Sequence, residues 1–238
     1  MKMIELTKEE KQKLMEVYRK LRVADVRDGM DWNMMHFVGS IYTDTIKPLF
    51  RTNFCGFAKT VQFVPTNRTI PTMDPEAYTK FSNHWYGNVA TYHWGKEIGE
   101  DDVLVLDASD TNVGIIGSNN GLEYKSQGCR GIITNGGARD TDELILNQVP
   151  VFSRYVSQTM VQGRVEFQAK DIPVNINGQL VRPNDIIVAD GDGIVVVPIE
   201  KAWEVAKYAT QEMEADKKSR RKLYDKMGIS VDASVAGY

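Results

Sequence analysis

The sequence predicts an α/β domain, and three observations carry that reading. Up to about residue 149, short apolar runs alternate with helical stretches, the pattern of parallel strands joined by crossover helices. From Pro150 to Pro198 the texture changes to closely spaced strands separated by turn residues. The chain then enters a long helix, from about Ile199 to Met227.

The first helix starts at a capping box, Thr7 with Glu10, in which hydroxyl and carboxylate satisfy amides that have no helical partner. Leu14, Val17, Tyr18 and Leu21 follow at helical spacing and form one apolar face. A second helical segment is expected over Val23–Met35, and a strand over Gly56–Val64 that Pro65 halts. Asn67–Lys96 reads as the least regular part, punctuated by Pro71 and Pro75 and with aromatic residues crowding its second half. Asp102–Asp107 reads as a strand. Gly114–Gly117 reads as a loop entering a helix that Gly128 ends, and Gly131–Thr134 as a short buried strand. A short helix is expected over Thr141–Asn147. Further strands are expected at Val151–Val156, Val165–Phe167, Ile172–Ile176, Asp185–Ala189 and Ile194–Val197, with turns at Asn177-Gly178 and Asp190–Gly193. In the last helix Ala202, Trp203, Ala206, Ala209 and Met213 are expected to face inward. With no repeat and no linker, the reading is one domain over 1–238: an N-terminal helical segment (1–50), an α/β core (51–198), and a C-terminal helix and tail (199–238).

Composition narrows the function. The 238 residues carry a formal charge of −3, 42% apolar and 26% charged residues, the make-up of an ordinary globule with material for a core. A mildly acidic chain of pI about 5.7 lacks the basic excess of a dedicated nucleic-acid binder, so no nucleic acid is expected as partner. No stretch is long and apolar enough for a membrane span, and Met1–Leu6 turns charged at once, unlike a targeting segment. Two cysteines, Cys55 and Cys129, suit free thiols in a reducing compartment, so a cytoplasmic location is expected.

The common nucleotide and hydrolase motifs are missing: there is no G-x-x-x-x-G-K-[ST], no G-x-G-x-x-G and no G-x-S-x-G. His36, His84 and His93 lack metal-ligand spacing. Asp190-Gly191-Asp192-Gly193 lacks the ligands of a calcium loop and reads as a tight turn. The basic run Lys217–Lys222 reads as a solvated helix face. The informative stretch is Gly131-Ile-Ile-Thr-Asn-Gly-Gly-Ala-Arg139-Asp140, where a strand runs out into a glycine-rich turn that delivers an arginine beside an aspartate. Ligands of α/β sheets gather at such strand ends. Arg139 can hold a carboxylate with a two-pronged charge-assisted bond. Asp140 can bind a hard divalent cation, water and substrate completing the shell. A surface ion pair, or Asp140 capping Thr141–Asn147, is the competing explanation.

This stretch resembles the G-x-x-R-D signature of the RraA-like family, which includes 4-hydroxy-4-methyl-2-oxoglutarate aldolase/oxaloacetate decarboxylase and the regulator of ribonuclease E activity. Gly56-Phe-Ala-Lys-Thr-Val resembles the family's G-x-A-x-T-V, and Gly99–Asp107 its P-G-D-V-x-V-x-D. Pro150-Val-Phe resembles P-V-[FW], and Val181–Pro198 resembles V-x-P-G-D-x-V-x-A-D-x-D-G-V-V-V-V-P. The resemblance implies a swivelling β/β/α domain flanked by N-terminal and C-terminal helices, assembled as a homotrimer or homohexamer. It further implies a site in which the backbone amides of Gly117, Ser118, Asn119 and Asn120 hold the substrate, Arg139 binds a 2-oxo acid and Asp140 anchors Mg2+ or Mn2+. Asp216 lies where an acidic residue of the last helix is thought to reach a neighbour's site in a catalytic role, although a solvated helix face is the simpler explanation. Lys125 falls at a family helix lysine and reads as a surface residue.

Three departures stand out. Ser118 replaces an aspartate implicated in proton transfer, and serine alone is a poor base. Asn119 and Asn120 replace apolar residues, and Thr66–Lys96 is longer than in compact members. The implied function is a metal-dependent carbon–carbon lyase, an aldolase or decarboxylase working through a metal-stabilised enolate. The alternatives are a non-catalytic regulator of an RNA-degrading enzyme and a metal-dependent dehydratase or hydrolase of a sugar acid.

Overall fold

The computed structural model describes residues 6–237, so the reading of Met1–Leu6 falls almost wholly outside the described residues. The helices are α1 (Lys8–Tyr18), α2 (Val23–Trp32), α3 (Pro75–Asn88), α4 (Ser118–Ser126), α5 (Thr141–Leu146) and α6 (Ala202–Met227). The strands are β1 (Ser40–Ile41), β2 (Lys47–Pro48), β3 (Phe54–Pro65), β4 (Asp102–Asp107), β5 (Gly114–Ile116), β6 (Gly131–Ala138), β7 (Val151–Val156), β8 (Val165–Lys170), β9 (Val174–Ile176), β10 (Gln179–Val181), β11 (Ile186–Asp190) and β12 (Gly193–Val197).

Ten strands make one sheet in the order β1-β12-β11-β3-β4-β6-β7-β2, with β5 on β6 and β8 on β3. The run β3-β4-β6-β7 is parallel, as the alternation of strands and helices predicts. The β11–β12 hairpin adds antiparallel strands. Asp190 pairs with Gly193 there, so the Asp-Gly-Asp-Gly segment is the tight turn expected of it. Strand β10 has no counterpart in the sequence reading. It pairs with β9 across Asn177-Gly178, both at positive φ, as a two-residue hairpin turn requires. Both end strands of the main sheet come from one segment: β1 and β2 are joined only by residues 42–46. At about 3.5 Å per residue, that link holds the borders close, and the sheet is rolled.

Strand alternation sorts the core. Val103 and Val105 point into the roll with Phe54, Ile133, Phe152 and Val196, and the β9–β10 hairpin closes it with Val174, Ile176 and Val181. Leu104 and Leu106 point outward and meet Trp85, Tyr124 and Leu144 of α3, α4 and α5. On the same outer face, Cys55, Phe57 and Val188 meet Tyr18, Met30 and Ala206 of α1, α2 and α6. Helices α2 and α6 cross tightly at Gly29, where a Cβ would lie 2.6 Å from the Val205 carbonyl oxygen.

Several element expectations need correction. Asn67–Lys96 is not irregular throughout, since α3 occupies about half of it. Asp74 accepts from the Ala77 amide and Pro75 takes the first turn, a start signal readable in the sequence. Helix α2 stops three residues before Met35, because Met34 adopts a left-handed conformation (φ +60°) that reverses the chain. Gly114–Ile116 is a strand rather than a loop, and β6 runs on to Ala138. Trp203 is 47% exposed, and Val205 takes the buried position instead, because the stripe through Ala202, Ala209 and Met213 runs at helical spacing through 205 and 206 and leaves 203 to one side. The Thr7–Glu10 capping box is present in full.

Candidate functional site

The Arg139-Asp140 pair sits at the carboxyl end of β6, against β5 and the start of α4. The Arg139 amide donates to the Ile116 carbonyl at 2.9 Å, which ties the end of β6 to β5. The stem of Arg139 crosses Gly114, where a Cβ would stand 2.9 Å from its Cδ. Asp140 is left-handed (φ +52°), so the chain turns from strand to helix in one residue. That turn sends the carboxylate away from α5, which it does not cap, and toward α4. Its Oδ1 accepts from Arg139 Nε at 3.2 Å, and its Oδ2 accepts from the Ser118 amide at 3.3 Å with the Ser118 hydroxyl at 3.5 Å. An aspartate held at a helix start is favoured by the unpaired amides and the helix dipole.

Gly117 is the residue before α4 and must be small. A Cβ there would lie 2.7 Å from Asp140 Oδ2 and 3.3 Å from Arg139 Cγ, although its φ of −130° suits any residue. The side chains of α4's first turn diverge. Ser118 turns to Asp140, Asn119 is exposed, and Asn120 faces the Tyr124 hydroxyl. Burial raises the pKa of that hydroxyl. Of the sequence-predicted residues, Gly117, Ser118, Arg139 and Asp140 thus meet, whereas the side chains of Asn119 and Asn120 point elsewhere and only their backbone amides face the helix start. Asp216 does not join them within one chain: it lies on α6, 3.5 Å from Arg22, and α6 packs on α1 and α2. Lys125 donates to the Asn147 and Gln148 carbonyls at 2.8 Å each, binding α4 to the end of α5 in the surface role expected of it.

Sequence reasoning missed Ser157 and Thr159. Their hydroxyls are 3.2 Å apart, and Thr159 Oγ1 accepts from the Gly114 amide at 3.4 Å, beneath the Arg139 stem. The one available signal was their position just beyond a strand.

The donor chemistry suits one kind of metal site. Among the described residues no three His, Cys, Asp or Glu side chains gather to enclose an ion. A single half-exposed carboxylate beside a hydroxyl offers oxygen donors to a magnesium-like ion, which keeps most of its shell as water and substrate, while the free helix amides suit the anionic substrate rather than the ion. Asp140 is the residue that would hold it.

Cys55 and Cys129 are free and buried, and burial pushes both thiols up to about 11. At pH 8 only about 0.1% would be thiolate. A disulfide reagent at that pH is expected to label the folded chain slowly and to find two thiols after denaturation. Fast native labelling would show that the burial is wrong.

No helix among the described residues is long and apolar enough to cross a membrane. Comparison with known proteins bears on the family and the fold. A putative 4-hydroxy-4-methyl-2-oxoglutarate aldolase 3 of Arabidopsis thaliana is 33% identical over 104 residues, 43% of this chain and 61% of the relative. A putative 4-hydroxy-4-methyl-2-oxoglutarate aldolase of Deinococcus radiodurans is 33% identical over 103 residues, 43% of this chain and 64% of the relative. This chain therefore spans less than two thirds of the length of either. The crystal structure of Streptomyces coelicolor RraAS2, described as an unusual member of the RNase ES inhibitor RraA protein family, superposes with a TM-score of 0.73. It is 25% identical, and the match covers 88% of this chain and 98% of that one. Residues 23–196 match the family described as RraA-like: Aldolase/RraA. With the match running from α2 to β12 and the Arg139-Asp140 pair inside it, the chain belongs to the RraA-like family.

Proposed function

We propose that this protein is a divalent-metal-dependent carbon–carbon lyase acting on a 2-oxo acid by aldol cleavage or decarboxylation. The observation that carries the reading is the Asp140 carboxylate held between Arg139 and the first amide of α4. Arg139 grips the substrate carboxylate with its guanidinium, and the amides of Asn119 and Asn120 add donors for anionic oxygens. Mg2+ or Mn2+ bound through Asp140 would supply a Lewis acid for the 2-oxo group. When the bond breaks, its electron pair stays on the 2-oxo fragment as an enolate. The charge of Arg139 and the positive end of α4 favour that fragment, which is electrostatic stabilisation of the transition state. Ser118 hydrogen bonds with substrate or water but is too weak a base to drive the step alone.

The test is pyruvate release from oxaloacetate and from 4-hydroxy-4-methyl-2-oxoglutarate with Mg2+, with Mn2+ and with a chelator, each against the metal-only background. Turnover is expected to be chelator-sensitive, and Asp140→Ala is expected to lose both turnover and metal affinity. An Asp140→Ala variant unchanged in both would sink the proposal. Gly117→Ala offers a finer check. Its Cβ displaces the Asp140 carboxylate without straining the backbone, so kcat/KM should fall roughly 10²-fold while the melting temperature stays nearly constant.

A second reading follows from the likeness to RraAS2, whose family is described as an RNase ES inhibitor family. As such a regulator, the chain would co-purify with a ribonuclease and release no pyruvate under any metal condition. The polar Ser118-Asn119 pair extends the substrate list to sugar acids, to be tried if metal binds without oxo-acid turnover.

A further inference from the structure

At the end of the sheet opposite the Arg139-Asp140 pair, basic side chains surround a cavity that the lyase reading does not use. Arg130 precedes β6 and Arg139 follows it, so the strand's rise of about 3.3 Å per residue puts the two roughly 25 Å apart. The cavity has a volume of about 480 Å³, within the range of about 300–1,000 Å³ usual for small-molecule sites. Leu21, Phe54 and Val188 give it an apolar lining, and Arg19, Lys20, Arg22 and Arg130 stand round it. A hollow of about 240 Å³ shares Arg22, Asn53 and Asp190 with it and adds Arg51.

The arginines are held from behind. Asp101 accepts from Arg19 Nη2 and from Arg130 Nε (2.7 Å), so one carboxylate orients two guanidinium groups. Asp25, buried at the start of α2, accepts from Nε and Nη2 of Arg22. Neither carboxylate lines the cavity. Each guanidinium carries five N–H donors, and among the described residues these bonds leave Nη1 of all three unspent. Exposed Glu100 and Asp216 add only long outer contacts, 3.7 Å from Arg130 and 3.5 Å from Arg22. Arg51 lies across Gly191, where a Cβ would stand 2.7 Å from its Nη2. Neither Arg51 nor Lys20 has an ion-pair partner among the described residues. Of the carboxylates that do line the joined hollows, Asp190 accepts from the amides of Val23 (2.9 Å) and Asp192 (2.8 Å), and Asp192 is exposed at the rim.

We propose that this cavity binds the diphosphate or triphosphate group of a small ligand. Arg19, Lys20, Arg22, Arg51 and Arg130 outnumber Asp190 and Asp192 around it, which leaves the lining positive. A chain of phosphates concentrates its charge and its acceptor oxygens in one short group, which suits cations that converge on one cavity. The planar guanidinium fork matches phosphate oxygens in pairs. Guanidinium groups already fixed by buried carboxylates lose little freedom on binding. Leu21, Phe54 and Val188 offer an apolar surface to an organic body attached to the phosphates.

The test is isothermal titration of the metal-free full chain with pyrophosphate, with ADP and with citrate. Both diphosphates are expected to bind saturably, and citrate roughly tenfold more weakly or worse. Tighter binding of ADP assigns an organic diphosphate and equal binding the inorganic group, each in support. Lys20→Ala/Arg51→Ala removes two exposed side chains, so the melting temperature should hold while both dissociation constants rise roughly tenfold or more. Arg139→Ala should leave both constants as they are, and the outcome does not depend on oxo-acid turnover. Absence of saturable binding by either diphosphate would overturn the proposal. So would binding that survives in the double variant and is lost in Arg139→Ala, since the anion would then sit at the other end of the sheet. Equal affinity for citrate would overturn the assignment of phosphate.

Discussion

Arg139→Ala is expected to lower kcat/KM by roughly 10²–10³-fold, the loss typical of removing one donor to developing negative charge. The guanidinium and stem of Arg139 are tied into the site. Its Nε holds Asp140, its stem lies on Gly114, and its amide is already spent on Ile116. On the proposed function, truncation thus removes the carboxylate grip and at the same time loosens the aspartate proposed to hold the metal. The melting temperature should barely move, because the side chain is partly exposed and its ion pair with Asp140 is a surface one worth about 1 kcal/mol or less. Arg139→Lys should recover little, since an ammonium cannot make the two parallel bonds of a guanidinium. Steady-state kinetics on oxaloacetate, with melting curves of both variants, checks this. A variant with near wild-type kcat/KM would mean that the pair is structural.

Phe63→Ala should have the largest effect on stability, about 3–5 kcal/mol. Phe63 is fully buried near the end of β3. Its ring meets Tyr92 at 5.5 Å, Phe167 at 5.8 Å and Trp94 at 6.4 Å between centroids. Trp94 in turn meets Tyr124 of α4, so the cluster joins β3, β8 and α4. Edge-on and tilted pairs add to plain burial, and a cavity among rigid rings cannot easily collapse. The loss would be a large fraction of the 5–15 kcal/mol of a typical domain. Urea denaturation measures it, and a cost under 1 kcal/mol would show that the rings repack.

What was legible in the sequence was what local chemistry dictates. The capping box at Thr7, the parallel strands and the turn at Asp190 follow from residue spacing alone. The Arg139-Asp140 pair was legible as a candidate site because a glycine-rich strand end delivers two charged residues together. Its actual geometry was not. That Asp140 serves α4 rather than its own helix depends on a left-handed residue and on a bond to Ser118, 22 positions away. Thr159 reaches the site only through the sheet, with no local pattern to mark it. Helix α3 was a different failure. Asp74-Pro75-Glu76 announced it, but no apolar period did, because Trp85 is the one buried residue of α3 and the rings of the helix pack largely on one another.

The short strap that provides both end strands of the rolled sheet bears on how the molecule meets others of its kind. Each of those borders is only two residues long, Ser40–Ile41 at one end and Lys47–Pro48 at the other, and the second contains a proline with no amide to offer. A neighbouring chain has almost no backbone ladder there to extend, which closes the commonest route from a native sheet to a fibril. Contact between copies at these borders must then run through side chains. Such contact is specific and reversible, where strand addition at an open border would propagate without limit.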